Sequence, residues 1–145
     1  MVVWRITAAP FADLSGEGAR LFGARWNSPG RAMLYTAQDA ALAVLEVRVH
    51  LDLSWDLLPD DYVLMKIEVP DLPVENITGL PPDPISVGDK WLASATTPLL
   101  RVPSYIVPES FNVLVNPAHP QAVTIRDFTM RDFGFDNRLW LPLRY

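Results

Sequence analysis

The sequence has no cysteine. That excludes disulfides, zinc–thiolate sites and a thiol nucleophile, and it fits a reducing compartment. Histidine is scarce: His50 and His119 are the two present, with neither HxxxH nor HExxH spacing. A metal centre and a Ser–His–Asp triad therefore lack material, and no GxSxG is present. Gly16-Glu17-Gly18 stands without GxxxxGK[ST], so it reads as a flexible turn rather than a phosphate loop. Long hydrophobic runs are missing too. No stretch reaches the length of a membrane span, and MVVWRITAAP lacks the basic region and long apolar core of a signal peptide. A soluble cytoplasmic protein is the expectation. Positive charge is in the minority, 12 Lys and Arg against 17 Asp and Glu, for a net charge of −5. That argues against a general nucleic-acid binder, which needs a basic face.

What is present is enough for a core. Half of the 145 residues are hydrophobic and a tenth aromatic, which predicts one domain over residues 1–145. The charge is uneven. Residues 1–37 hold Arg5, Arg20, Arg25 and Arg31 against Asp13 and Glu17, while the rest of the chain carries −7. A locally cationic N-terminal third suits a small anionic ligand better than a polyanion.

Short β-rich runs alternate with two helical patterns. Val2–Ile6, Ala24–Trp26, Ala32–Thr36, Tyr62–Val69, Leu99–Val102, Tyr105–Val107, Phe111–Val115 and Ala122–Phe128 read as strands. Asn27-Ser28-Pro29-Gly30 is a strong turn signal between the second and third. Gln38–His50 reads as a helix with Leu42, Leu45 and Val49 as its apolar stripe and Thr36 or Gln38 near its entry. Ser86–Thr96 reads as a second helix capped by Ser86, with Asp89 completing a capping box. Residues 70–84 hold five of the fourteen prolines and form a stiffened loop. The fold class expected is α+β, a compact mixed or mostly antiparallel sheet with a few helices.

Three residues from Gly23 to His50 carry the chemistry: Arg25, Tyr35 and Glu46. At 100° per residue Glu46 lies about 40° from Leu42, so the carboxylate shares an apolar face and needs partners. Each residue alone fits an ordinary role. Arg25 would be a surface ion pair, Tyr35 a half-buried strand residue, and Glu46 a rim carboxylate beside Arg48 or His50. Together they supply a cation for a phosphate, an aromatic face for a planar ring and a carboxylate for a developing cation. Ser104 sits between Pro103 and Pro108, where the backbone is stiff; alone it reads as a strand-end serine capping its own turn.

These blocks resemble the RES-domain toxins of the Xre–RES type II toxin–antitoxin systems. The resemblance runs from Val3-Trp4-Arg5-Ile6 to Asp127-Phe128. It is carried by Gly23-Ala24-Arg25-Trp26-Asn27, Gly30-Arg31, Leu34-Tyr35-Thr36-Ala37, Leu45-Glu46-Val47-Arg48-Val49-His50, Val102-Pro103-Ser104 and Asn112 to Pro120. The ending Leu141–Tyr145 is not part of the pattern. The resemblance implies a split-sheet fold of the diphtheria-toxin-type ADP-ribosyltransferase class around an NAD-binding cleft. It implies consumption of NAD+ as substrate, without a metal. Glu46, Arg25 and Tyr35 would be catalytic; Arg25, Tyr35 and Ser104, with Arg31 or Arg5 in support, would bind NAD+. The ADP-ribosyl acceptor would be water, phosphate or a protein, with an enzyme of nucleotide biosynthesis as one such target. The implied partner is a cognate Xre-type helix-turn-helix antitoxin, which would make the DNA contact. The alternative from another class is a non-catalytic module that binds a nucleotide or the antitoxin.

Overall fold

A computed structural model describes residues 1–140; Leu141–Tyr145 lie outside the described residues. Seven strands form one sheet: β1 (Val2–Ala8), β2 (Leu34–Ala37), β3 (Tyr62–Glu68), β4 (Val74–Asn76), β5 (Leu99–Pro103), β6 (Phe111–Val115) and β7 (Asp127–Asp132). Their order is β4-β5-β6-β2-β1-β3-β7. All neighbouring pairs are antiparallel except β4 with β5, so the sheet is mixed and the α+β expectation holds. Three α-helices accompany it: α1 (Glu17–Phe22), α2 (Ala40–His50) and α3 (Pro84–Ser94).

The sheet is split. β1 pairs with β3 from Val2↔Glu68 to Ala8↔Tyr62, and β2 pairs with β6 from Leu34↔Val115 to Ala37↔Asn112. Between them, β1 and β2 meet at Trp4↔Ala37 alone. Helix α2 packs on both β1 and β2 and spans the split.

Strand alternation distributes the core over two faces. One face carries Val3, Leu34, Val63, Met65, Ile67, Leu99, Val113 and Val115 in a single cluster. The other face carries two clusters. Ile6, Ala37 and Leu64 pack under α2 with Phe135, and Leu100, Val102 and Leu114 pack with Met33, Trp26 and Trp91 of α3. The split lies between these two clusters.

Several local expectations change. Ala24–Trp26 is not a strand; Ala24 makes an isolated bridge to Asn27, because the chain turns back at once. Tyr105–Val107 is not a strand either, since Ser104 Oγ accepts the N–H groups of Ile106 and Val107 at 3.1 Å each. Residues from Ala122 divide: Pro120–Thr124 is a 3-10 turn capped by His119 Nδ1, which accepts Gln121 N–H, and the strand begins at Asp127. Asp39 caps α2 by accepting Leu42 N–H at 2.7 Å, and Asp83 caps α3 by accepting Ser86 N–H at 3.1 Å. The proline-rich segment contains β4, whose parallel pairing with β5 gives part of this loop a sheet edge. The stripe on α2 is also different. Leu42 and Ala43 are buried, with Val44 and Val47 against the cluster, whereas Leu45 is 37% and Val49 55% exposed. A helix that is apolar on almost every side leaves the choice of buried face to the sheet beneath it.

Candidate functional site

The split in the sheet opens into a cleft of about 310 Å³. Residues from both adjoining clusters line it, including Trp4 and Ile6 on β1, Tyr35 and Ala37 on β2, and Ala43, Glu46, Val47 and His50 on α2. The four α2 residues are spaced i, i+3, i+4 and i+7, so one helical face is turned to the cleft. Arg25, Trp26, Tyr105 and Asn112 complete the opposite side.

Glu46 is half-buried and held by a chain of hydrogen bonds. Ser104 Oγ donates to Glu46 Oε1 at 2.7 Å while accepting from Ile106 N–H and Val107 N–H. A hydroxyl has one proton and two lone pairs, so Ser104 is fully committed. It is completely buried and does not line the cleft. Its hydroxyl works on Glu46, and its bond to Oε1 leaves Oε2 available to a ligand. The expected pairing of Glu46 with Arg48 or His50 is replaced by this serine. Arg48 turns away: its Nε donates to Leu139 O at 2.9 Å and its guanidinium covers the Trp140 ring at 4.1 Å.

Tyr35 is locked in the same way. Its hydroxyl donates to Asn27 Oδ1 at 2.6 Å and accepts Trp26 N–H at 2.9 Å. Burial pushes the phenol well above its ordinary value, so it remains neutral. The ring is what Tyr35 offers the cleft; its hydroxyl fixes the peptide that follows Arg25.

That peptide belongs to a clamped loop. Asn27, 1% exposed, donates through Nδ2 to the carbonyls of Ala19 and Arg31 at 3.0 Å. Ser28 donates its N–H to Asp89 Oδ1 at 2.9 Å and its hydroxyl to Oδ2, which ties the loop to α3. Asp89 thus serves the loop rather than a capping box. Gly88 lies flush against Trp26, where any Cβ would overlap the Trp26 carbonyl oxygen. Gly23 ends α1 at φ +68°, a conformation that glycine adopts without strain.

Arg25 emerges from this loop with its guanidinium over the Tyr105 ring, 4.2 Å from the centroid. Arg5 lines the cleft but is largely spent on the protein: it donates to Phe11 O at 3.3 Å and to Thr7 Oγ1 at 3.5 Å, and burial lowers its basicity. Arg31 is exposed and does not line the cleft. The structure therefore brings Arg25, Tyr35, Glu46 and Arg5 to one cavity, puts Ser104 directly behind it, and leaves Arg31 outside. Asn27, Asp89, Tyr105, Asn112 and His50 were not nominated from the sequence. Asn27 and Asp89 sit in turn and helix patterns with local explanations of their own, which hid their distant partners. Among the described residues no group of three or more His, Asp and Glu side chains could hold a metal ion, and no helix is long and apolar enough to cross a membrane.

A family model described as the RES domain matches residues 2–137. The chain belongs to the RES domain family. Among its RES-related proteins, the "Prs ADP-ribosylating toxin" of Sphingobium sp. (strain YBL2) is 43% identical over 141 residues, covering 88% of this chain and 86% of that protein. A "Toxin Res" of Pseudomonas putida KT2440 is 37% identical over 148 residues, covering 97% and 100%. The "NAD(+) phosphorylase MbcT" of Mycobacterium tuberculosis is 37% identical over 101 residues, which cover 61% of this chain and 54% of that protein. The crystal structure of the M. tuberculosis MbcT–MbcA toxin–antitoxin complex contains a chain that superposes with a TM-score of 0.72 at 25% identity, covering 90% of this RES chain and 84% of that one.

Proposed function

We propose that this protein is the toxin of a type II toxin–antitoxin system, a single RES-type NAD-binding domain over residues 1–145 that breaks the nicotinamide–ribose bond of NAD+. The observation that carries the reading is the Ser104–Glu46 hydrogen bond at the wall of a cleft that Arg25 and Tyr35 also line. The names of the relatives, an ADP-ribosylating toxin and an NAD(+) phosphorylase, support the same substrate.

Departure of nicotinamide leaves positive charge on the ribose. Glu46 stabilises that charge through its free oxygen. Two unit charges about 4 Å apart interact by roughly 4 kcal/mol at an effective dielectric near 20, and a carboxylate prepositioned by Ser104 needs no reorganisation as the charge develops. Arg25 takes a phosphate or ribose oxygen with its open donors. The Tyr35 ring packs on the nicotinamide or its ribose. Ser104 acts through Glu46, Arg5 supports the cleft wall, and no metal is required. The 43% relative's name supports a protein as ADP-ribose acceptor, while the phosphorylase name supports phosphate.

The toxin–antitoxin complex among the structural neighbours supports a cognate antitoxin, which we assign to the Xre-type helix-turn-helix class. DNA contact then belongs to the partner, in keeping with the acidity of this chain, and the pair acts in the cytoplasm.

Purified protein incubated with NAD+ should release free nicotinamide; a folded protein that releases none would favour the non-catalytic binding module. Labelled NAD+ added to a lysate then identifies the acceptor. A labelled protein band indicates transfer, and label appearing as ADP-ribose or its phosphate indicates NAD+ depletion.

A further inference from the structure

Arg25 needs an orientation as well as a position. Among the described residues its guanidinium forms no ion pair and no hydrogen bond, and it lies over the Tyr105 ring. A guanidinium held over an aromatic face keeps its N–H donors free for other partners. Lysine in its place would present a mobile point charge. Tyr105 is itself anchored from two sides. Its hydroxyl donates to the carbonyl oxygen of Pro81 at 2.7 Å, and its ring meets Trp26 edge-on at 6.0 Å. Pro81 lies in the proline-rich segment beside Pro82 and Pro84, so the accepting carbonyl sits on stiff backbone. Trp26 is buried, and its N–H is held by Tyr35.

We infer that Tyr105 is the positioning residue for Arg25: its ring, tied to Pro81, holds the guanidinium over its face at the cleft wall and keeps the donors available to the cleft. The inference rests on the reading of Arg25 as the group that grips NAD+. It gives the proline-rich segment a role in substrate binding through one carbonyl, without contact between that segment and the substrate.

The test is a set of variants read by nicotinamide release over a range of NAD+ concentrations. Tyr105→Leu removes the π face and the anchor, and it should raise KM by about 2- to 30-fold with kcat changed little, the range that a cation–π contact covers. Tyr105→Phe keeps the face and loses the Pro81 bond, so its KM should fall between those of wild type and Tyr105→Leu. In an Arg25→Ala background Tyr105→Leu should add no further KM increase. Unchanged KM in Tyr105→Leu overturns the inference. So does an equal penalty with and without Arg25, which would make the ring a direct substrate contact. Thermal unfolding of Arg25→Ala, Tyr105→Leu and the double variant reads the stack without any substrate. Additive changes in Tm overturn it, whereas a wild-type protein that releases no nicotinamide counts against the function instead.

Discussion

Arg25 and Glu46 line one cleft from walls of different construction. The Arg25 wall is a polar lattice: Tyr35, Asn27, Ser28 and Asp89 bind the loop to β2, α1 and α3 through hydrogen bonds that leave no donor of Tyr35 or Ser28 idle. The Glu46 wall is a helix resting on apolar residues, Ile6, Ala37, Leu64 and Phe135 among them, and one side-chain hydrogen bond from Ser104 orients the carboxylate. A lattice spreads its load, so losing one bond shifts the loop and weakens binding. A single bond to a half-buried charge concentrates it, so losing that bond reaches the carboxylate directly. Binding should therefore depend on many residues of the first wall, and rate on two residues of the second.

Ser104→Ala is the strongest way to break the comparison. A hydrogen bond to a charged group contributes about 1.5–3 kcal/mol, so kcat should fall roughly 10- to 150-fold with KM changed less, while the stranded N–H groups of Ile106 and Val107 lower stability by about 1–3 kcal/mol. Steady-state nicotinamide release measures both, and an unaltered kcat would remove the serine from the account. Next is Asp89→Ala on the other wall. It strands the Ser28 N–H and hydroxyl, which should cost about 1–3 kcal/mol in denaturant unfolding and raise KM while sparing kcat. A loss of kcat as large as that of Ser104→Ala would mean the two walls do not divide the work.

Tyr35→Phe sharpens the lattice through pH. Burial raises the folded-state pKa of Tyr35 above that of the unfolded chain, which titrates near about 10. Its contribution to stability is complete below that unfolded value and is lost as pH rises past it, because the unfolded state then gives up a proton that the folded state keeps. Wild type should lose Tm between about pH 9.5 and 11, and Tyr35→Phe, less stable at neutral pH, should lose less over the same window. Tyr62, also raised by burial, contributes equally to both proteins and cancels. Parallel curves would mean that the Tyr35 hydroxyl is not buried as described. The smallest effect belongs to Val49→Gln on the outer side of α2, expected within about 0.5 kcal/mol of wild type with full activity. A large destabilisation there would restore the stripe that the periodicity suggested.

The strands with β-branched and aromatic runs, β1, β3 and β6, were legible because each sends apolar residues into the core, as were α2 and α3 by existence. Two misread segments share one cause: a side chain diverted backbone groups that a strand would need. Ser104 takes two N–H groups from the Tyr105–Val107 run, and His119 with Pro120 makes a 3-10 turn where apolar residues suggested extension. Edge strand β7 is mostly exposed, so its pattern carried little signal. At the site, Arg25, Tyr35 and Glu46 could be grouped from the sequence as a cation, a ring and a carboxylate, and Ser104 joined them through the family resemblance. What each hydroxyl does could not be, because Tyr35–Asn27 and Ser104–Glu46 are decided by tertiary geometry. Arg31 shows the limit from the other side, a cation close in sequence whose side chain the turn leaves outside the cleft.

We propose Glu46, held by Ser104, as the group that stabilises the positive charge developing on the ribose. Glu46→Gln tests it with almost no change in shape. Nicotinamide release from NAD+ should fall by about 100-fold or more, on the scale of losing a preorganised electrostatic group, while Tm and circular dichroism match wild type. A folded Glu46→Gln protein that releases nicotinamide at the wild-type rate would contradict it.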